Sequence, residues 1–273
     1  MSEGKRQIKV ASSNYWCEVT GKGEPVLLLH GFTGSTTTWG SLVSTLKTTF
    51  QVITIDLPGH GKTEVSSPKT MRDCCADIKA IIKQLGYEKV HLLGYSMGGR
   101  TALSFAMIYP ELVQSLVLES ASPGLEKEED RKARIKKDQI LTDRIRSDGL
   151  ASFVNFWESI PLFESQKKLP DSVQRAIREE RLSQHEEGLI MSLNHMGNGV
   201  QPSWWDELET LTLPVLLVVG VLDAKFVNLN KTMHNRIPQS NLVIVQEAGH
   251  AIHVEQSDFF GKIVSGFILN KPN

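Results

Sequence analysis

Four compact apolar runs, at residues 26–29, 52–55, 90–93 and 116–118, recur through the first half of the chain, each separated from the next by a stretch long enough for a helix. Parallel strands need crossovers of that length, and strands buried on both faces read as continuous apolar runs rather than alternating ones. The stretches at 36–46, 71–85 and 97–108 carry apolar residues at three- and four-residue spacing, as amphipathic helices do. The expected class is therefore α/β, with a mostly parallel sheet flanked by helices. Ahead of it, alternating segments at 7–11 and 15–19 predict an opening antiparallel pair turned at Ser12-Ser13-Asn14.

The alternation breaks at Pro123. From there to about Pro202 the chain is charged and helical, as in Glu126-Lys127-Glu128-Glu129-Asp130-Arg131, with no run that would extend the sheet. Strand and helix then resume at 215–219, 228–236, 242–245 and 258–269. The reading is one core domain in two parts, residues 1–122 and 205–273, interrupted by a helical cap at 123–204. A chain of 273 residues with 40% hydrophobic content can bury one such core.

Thirty Lys plus Arg stand against 31 Asp plus Glu, so no strong field draws the protein to nucleic acid or anionic lipid, and a small-molecule partner is expected. The longest nearly apolar run, 213–222, is half of what a membrane-crossing helix requires. The start, MSEGKRQIKV, mixes charges and lacks the apolar stretch of a signal peptide. Cys17, Cys74 and Cys75 are odd in number, two of them adjacent, and make neither a disulfide framework nor a metal-ligand spacing. A reducing, cytoplasmic setting without metal or organic cofactor is expected, and monomer and dimer both stay open.

Chemistry concentrates where Gly94-Tyr95-Ser96-Met97-Gly98 follows a predicted strand and opens a predicted helix. In that context G-x-S-x-G thrusts a serine out above a sheet. A serine hydroxyl needs an imidazole to take its proton and a carboxylate to hold that imidazole. Of eight histidines, His250 lies between the last strand and the last helix, with His253 as its rival. Asp223 ends a strand run, at the carboxyl end of the strand, where open α/β sheets gather ligand-facing residues. Asp56-Leu57-Pro58-Gly59-His60-Gly61 reads as a structural turn, and His60 is not expected to be catalytic.

Taken singly, a G-x-S-x-G is often a tight turn and a histidine is usually structural. Jointly, the order Ser, Asp, His along the chain resembles the α/β-hydrolase fold. That resemblance places one oxyanion donor in His30-Gly31-Phe32-Thr33-Gly34, at the amide of Phe32. The second is the amide of Met97 at a helix start, where free amides and the dipole favour negative charge.

Arg100 lies one helical turn after Ser96 on the same face. A cation in a first turn opposes the helix dipole, so a compensating anion is expected, either a protein carboxylate or a substrate carboxylate. The segment from Gly94 to Arg100 resembles, more narrowly, the 2-succinyl-6-hydroxy-2,4-cyclohexadiene-1-carboxylate synthases, lyases of menaquinone biosynthesis. Further matches are the His30 and Asp56 segments, Ser122-Pro123-Gly124-Leu125, Phe156-Trp157 and Pro161-Leu162-Phe163, so the likeness runs from near residue 26 to near residue 256.

The resemblance implies a polycarboxylate substrate gripped by Arg100, Arg134 and Arg181, in a pocket lined by Tyr95, Trp157 and Phe163. Spacing alone does not select Arg134 over Arg131, Lys132 or Lys136, and Trp157 and Phe163 would otherwise read as packing residues. Two departures stand out: Val221 and Leu222 precede Asp223 where Glu-Arg is frequent, and Ser257 stands where proline is common. The implied reaction is pyruvate elimination begun by proton abstraction. A serine esterase or thioesterase with the same triad is the first alternative, and a non-catalytic binding module the second.

Overall fold

The computed structural model describes residues 3–270, so the outermost residues of the expected core segments, 1–2 and 271–273, lie outside the described part. β1 (Gly4–Val10) and β2 (Ser13–Thr20) form an antiparallel hairpin. Its turn is tighter than expected: Ser13 pairs with Val10 and Asn14 with Lys9, leaving Ala11 and Ser12 as a two-residue loop with Ala11 at φ 49°. Two-residue hairpin loops match the strand twist when φ is positive, which draws Ser13 and Asn14 into the strand.

The sheet continues with β3 (Pro25–Leu29), α1 (Gly40–Leu46), β4 (Gln51–Ile55), α2 (Met71–Gln84), β5 (Val90–Tyr95), α3 (Met97–Ile108) and β6 (Val113–Glu119). A one-turn 3-10 helix, Thr36–Trp39, leads into α1. After the cap come β7 (Val215–Gly220), α7 (Ala224–Arg236), β8 (Ser240–Val245), α8 (Ile252–Glu255) and α9 (Ser257–Leu269), numbered here after the three cap helices. The order is β1-β2-β4-β3-β5-β6-β7-β8, parallel from β4 onward. Strand residues alternate between two apolar layers: Leu27 and Leu29 face one with α2 and α3, and Val26 and Leu28 face the other with α1 and α9. Burial on both faces is why the strands read as unbroken runs.

The cap between β6 and β7 holds α4 (Glu128–Ser159), α5 (Asp171–Leu182) and α6 (Glu186–Met196). α4 opens with Glu128, Glu129 and Asp130, which suit the positive end of its dipole, and bends at Gly149 (φ 77°). Phe153, Val154, Leu189, Ile190 and Leu193 give the cap a small core of its own. Its root is stitched together, Trp204 N donating to Pro123 O at 2.8 Å and Trp205 Nε1 to Gly124 O at 3.1 Å. Farther out, Glu180 Oε1 on α5 accepts from Ser35 N (3.0 Å), Ser35 Oγ (2.8 Å), Thr37 Oγ1 (2.7 Å) and Thr38 Oγ1 (2.8 Å). No helix among the described residues is long and apolar enough to cross a membrane.

Candidate active site

Ser96 sits between β5 and α3 at φ 51° and ψ −105°, a strained conformation for a residue with a side chain. Close packing holds it there. A Cβ on Gly98 would stand 1.9 Å from the Leu29 carbonyl oxygen, and one on Gly94 2.2 Å from that of Gly98, so the helix start presses directly on β3. Ser96 N donates to Glu119 O at 2.9 Å, tying the bend to β6. The amide of Met97, first in α3, has no intrahelical acceptor.

His250 arrives from the loop after β8, and Asp223 from the end of β7. Asp223 Oδ2 lies 2.7 Å from His250 Nδ1, and His250 Nε2 lies 3.0 Å from Ser96 Oγ. With Nδ1–H donating to the carboxylate, Nε2 is left as the acceptor for the serine proton. Asp223 Oδ1 also accepts from Phe226 N at 3.2 Å, so the residue caps α7, which starts four residues before the predicted 228. The Glu255 carboxylate accepts from the amides on either side of His250, Gly249 N at 2.6 Å and Ala251 N at 3.2 Å. The rival His253 is buried and turned away. Its Nδ1 lies 2.9 Å from both oxygens of Glu119, and its ring packs between Trp39 and Tyr95.

On the oxyanion side, His30 Nε2 accepts from Leu57 N at 2.9 Å while its Nδ1–H donates to Gly31 O at 2.8 Å, locking the loop that carries Phe32. Burial pushes His30 down to about 4, so it is neutral at pH 7. Burial, with His30 beside it, pushes His60 down to about 3. The His60 ring props Phe32 edge-on at 5.7 Å, which matches the structural role read for its turn.

Ser96, His250, Phe32 and Met97 line one cavity of roughly 680 Å³. One wall is aromatic: Phe32 meets Trp157 at 5.5 Å, Trp157 meets Phe163 at 5.7 Å, and Phe163 faces His250 at 6.3 Å. Tyr95 lines it as well, its ring 5.4 Å from that of His250. The opposite end is cationic. Arg100 donates through Nη1 to Met196 O at 3.0 Å and to Gln201 Oε1, both neutral, and none of the ion pairs among the described residues includes it. Burial, with Arg134 nearby, pushes Arg100 down to about 9, which leaves it cationic at neutral pH. Of the two anions expected for it, the protein supplies no direct one.

Arg134 lines the same cavity and donates through Nε to Asp138 at 2.8 Å, whereas Arg131 turns to the carbonyls of Gly199 and Gln201. Asp138, Asn198, Lys225 and Phe226 also line it, and none of them was singled out from the sequence. Asp138 carried one usable signal, its i,i+4 spacing from Arg134. Lys225 carried another, following Asp223 by two residues.

Arg181 departs from expectation. Its guanidinium stacks on Phe163 at 4.6 Å, donates to Gln166 Oε1 at 3.2 Å and lies 3.5 Å from Glu158 Oε1. It faces a neighbouring cavity of roughly 460 Å³, not the one around Ser96. The ion pair and the Phe163 ring hold it there.

The sequence profile of the α/β hydrolase fold matches residues 24–257. A Bacillus subtilis (strain 168) protein, provisionally named 2-succinyl-6-hydroxy-2,4-cyclohexadiene-1-carboxylate synthase, is 47% identical over 251 residues, covering 90% of this chain and 91% of that one. The synthase of that name from Serratia proteamaculans (strain 568) is 29% identical over 246 residues, 90% and 93% of the two chains. Among solved structures, MenH from S. aureus aligns with a TM-score of 0.90 at 33% identity, covering 97% of this chain and all of that one. An esterase from Thermogutta terrifontis, solved with malate bound, aligns at 0.85 with 29% identity, covering 98% of each chain. With its serine elbow, its Ser-Asp-His order and these full-length likenesses, the chain belongs to the α/β-hydrolase family, in the group of the 2-succinyl-6-hydroxy-2,4-cyclohexadiene-1-carboxylate synthases.

Proposed function

We propose that the protein is a cytoplasmic carbon–oxygen lyase of menaquinone biosynthesis. It eliminates pyruvate from 2-succinyl-5-enolpyruvyl-6-hydroxy-3-cyclohexene-1-carboxylate to give 2-succinyl-6-hydroxy-2,4-cyclohexadiene-1-carboxylate. Ser96 Oγ, its own proton drawn to His250 Nε2, takes a proton from the ring carbon next to the succinyl carbonyl. The C–H electrons become an enolate whose oxygen the amides of Phe32 and Met97 face. As the enolate collapses, the ring double bonds conjugate and the C–O bond to the enolpyruvyl group breaks, and that group leaves to be protonated to pyruvate. Asp223 stabilises the imidazolium formed on the way.

The observation that carries this reading is Arg100: a half-buried cation one turn from the nucleophile, bonded only to neutral acceptors, at the end of the cavity it shares with Arg134. Such a site suits an anionic substrate. The test is a coupled assay for pyruvate release from the family substrate. Saturable release is expected, and Arg100→Ala should lower kcat/KM by about a hundredfold, the loss of a charged, bidentate-capable contact.

A serine esterase is the second reading, favoured by the likeness to the Thermogutta terrifontis esterase and by a triad equally able to attack a carbonyl. Rapid hydrolysis of neutral esters, untouched by Arg100→Ala and without pyruvate release, would decide for it. The complete hydrogen-bonded triad weighs against a non-catalytic binding module.

A further inference from the structure

Asp138 lies on α4 inside the cavity and is 3% exposed. Its Oδ1 accepts from Arg134 Nε, while Oδ2 is buried and without a hydrogen-bond partner among the described residues. Gly197 passes against that free oxygen, where a Cβ would stand 2.8 Å from it. The next residue, Asn198, has its Oδ1 buried and unpartnered as well, and both side chains line the cavity beside Arg100 and Arg134. Buried acceptors are seldom left without a donor, and two at one end of a cavity mark a place where a ligand supplies it.

The neighbourhood decides what kind of donor fits. An ammonium group would meet Arg100 and Arg134, and a carboxylate would meet the Asp138 oxygen. A hydroxyl brings one proton to an acceptor without adding charge of either sign. We infer that Asp138 Oδ2 accepts the proton of a ligand hydroxyl, with Asn198 Oδ1 beside it as a second acceptor that the rotating proton can turn to, next to the point where Arg100 and Arg134 hold a ligand carboxylate. The inference rests on the polycarboxylate reading above and sharpens it: Asp138 makes the site select hydroxylated acids over their deoxy counterparts. Burial raises the Asp138 carboxyl while Arg134 and Arg100 oppose that shift, so a donated hydroxyl proton supports the ionised form the site needs.

Succinate and malate differ by one hydroxyl and serve as probes, with binding to the full chain measured by isothermal titration calorimetry at neutral pH. The wild type should bind malate about tenfold more tightly than succinate, one charge-assisted hydrogen bond. In Asp138→Asn the amide oxygen stays on Arg134 Nε, so an NH₂ takes the place of Oδ2 and the hydroxyl loses its charged acceptor, left to accept a neutral hydrogen bond from that NH₂. The malate preference should fall severalfold while succinate binds equally well or better. Asn198→Ala, which leaves the Arg134 contact alone, should lower the preference by about threefold and serves if Asp138→Asn does not fold. Equal affinities in the wild type, saturation by neither acid, or a preference that survives both substitutions undiminished overturns the inference. Pyruvate release by the unaltered protein is scored separately: release without malate preference spares the lyase reading, and preference without release spares the hydroxyl site.

Discussion

Two imidazoles of the oxyanion side set a pH dependence. His30 and His60 are buried and neutral in the folded protein, with values near 4 and 3 against an ordinary 6.5. Below 6.5 the unfolded chain binds protons that the folded one refuses, so stability rises with pH across this window. The stability due to these sites is fully present above 6.5 and is lost as pH falls toward 4. Urea midpoints should drop between pH 7 and pH 5 by an amount corresponding to roughly 2 kcal/mol per site. His60→Gln should be less stable at pH 7 yet show a flatter profile, and an unchanged slope would place the effect elsewhere. At this scale the triad was legible because Ser96, Asp223 and His250 each follow a strand, and a strand end is visible in sequence. Asp138 was not, since a carboxylate in a charged run looks like solvated helix surface. The face that Arg181 presents depends on a partner, Glu158, on another cap helix.

Among elements, the strands were the most readable, because burial on both faces leaves only apolar side chains at successive positions. Helix α3 was read to the residue, 97–108, since the elbow fixes its start. The start of β2 was misjudged by two residues because polar Ser13 and Asn14 hide a strand start. The elbow itself tolerates no bulk. Gly98→Ala would drive a methyl group into the Leu29 carbonyl, a backbone atom with no freedom to yield. Relief must come from a shift of the helix start, costing about 1–3 kcal/mol in denaturant stability. Displacing Ser96 by even part of an ångström should cost about a hundredfold in pyruvate release. Full activity in this variant would mean that the close approach of α3 to β3 does not set the serine.

For the molecule as a whole, the cavity over Ser96 depends on the cap, which contributes Arg134, Trp157 and Phe163 to its lining. The cap was legible only as an interruption of the sheet pattern, because how its helices pack is decided by contacts with the core. Glu180 is one such contact, a single carboxylate oxygen receiving four donors from the segment that follows the oxyanion loop. Glu180→Gln should weaken this tie by about 1–3 kcal/mol, through loss of charge on the acceptor. Hydrogen exchange should then quicken in α5 and in residues 35–38 together; acceleration confined to α5 would show that the two segments do not move as one.

The stitched root of the cap reaches further than the present reaction. β6 and β7 are parallel neighbours, so the chain leaves the sheet at one end and re-enters at the other, yet the ends of the inserted stretch meet at its root, where Trp204 N donates to Pro123 O at 2.8 Å. For such an insert the entropic cost of closure grows only with the logarithm of its length. A different excursion could be grafted between Gly124 and Trp204 without altering the span it must bridge. Selectivity for what is bound and the machinery that transforms it can therefore diversify on separate schedules over one unchanging platform.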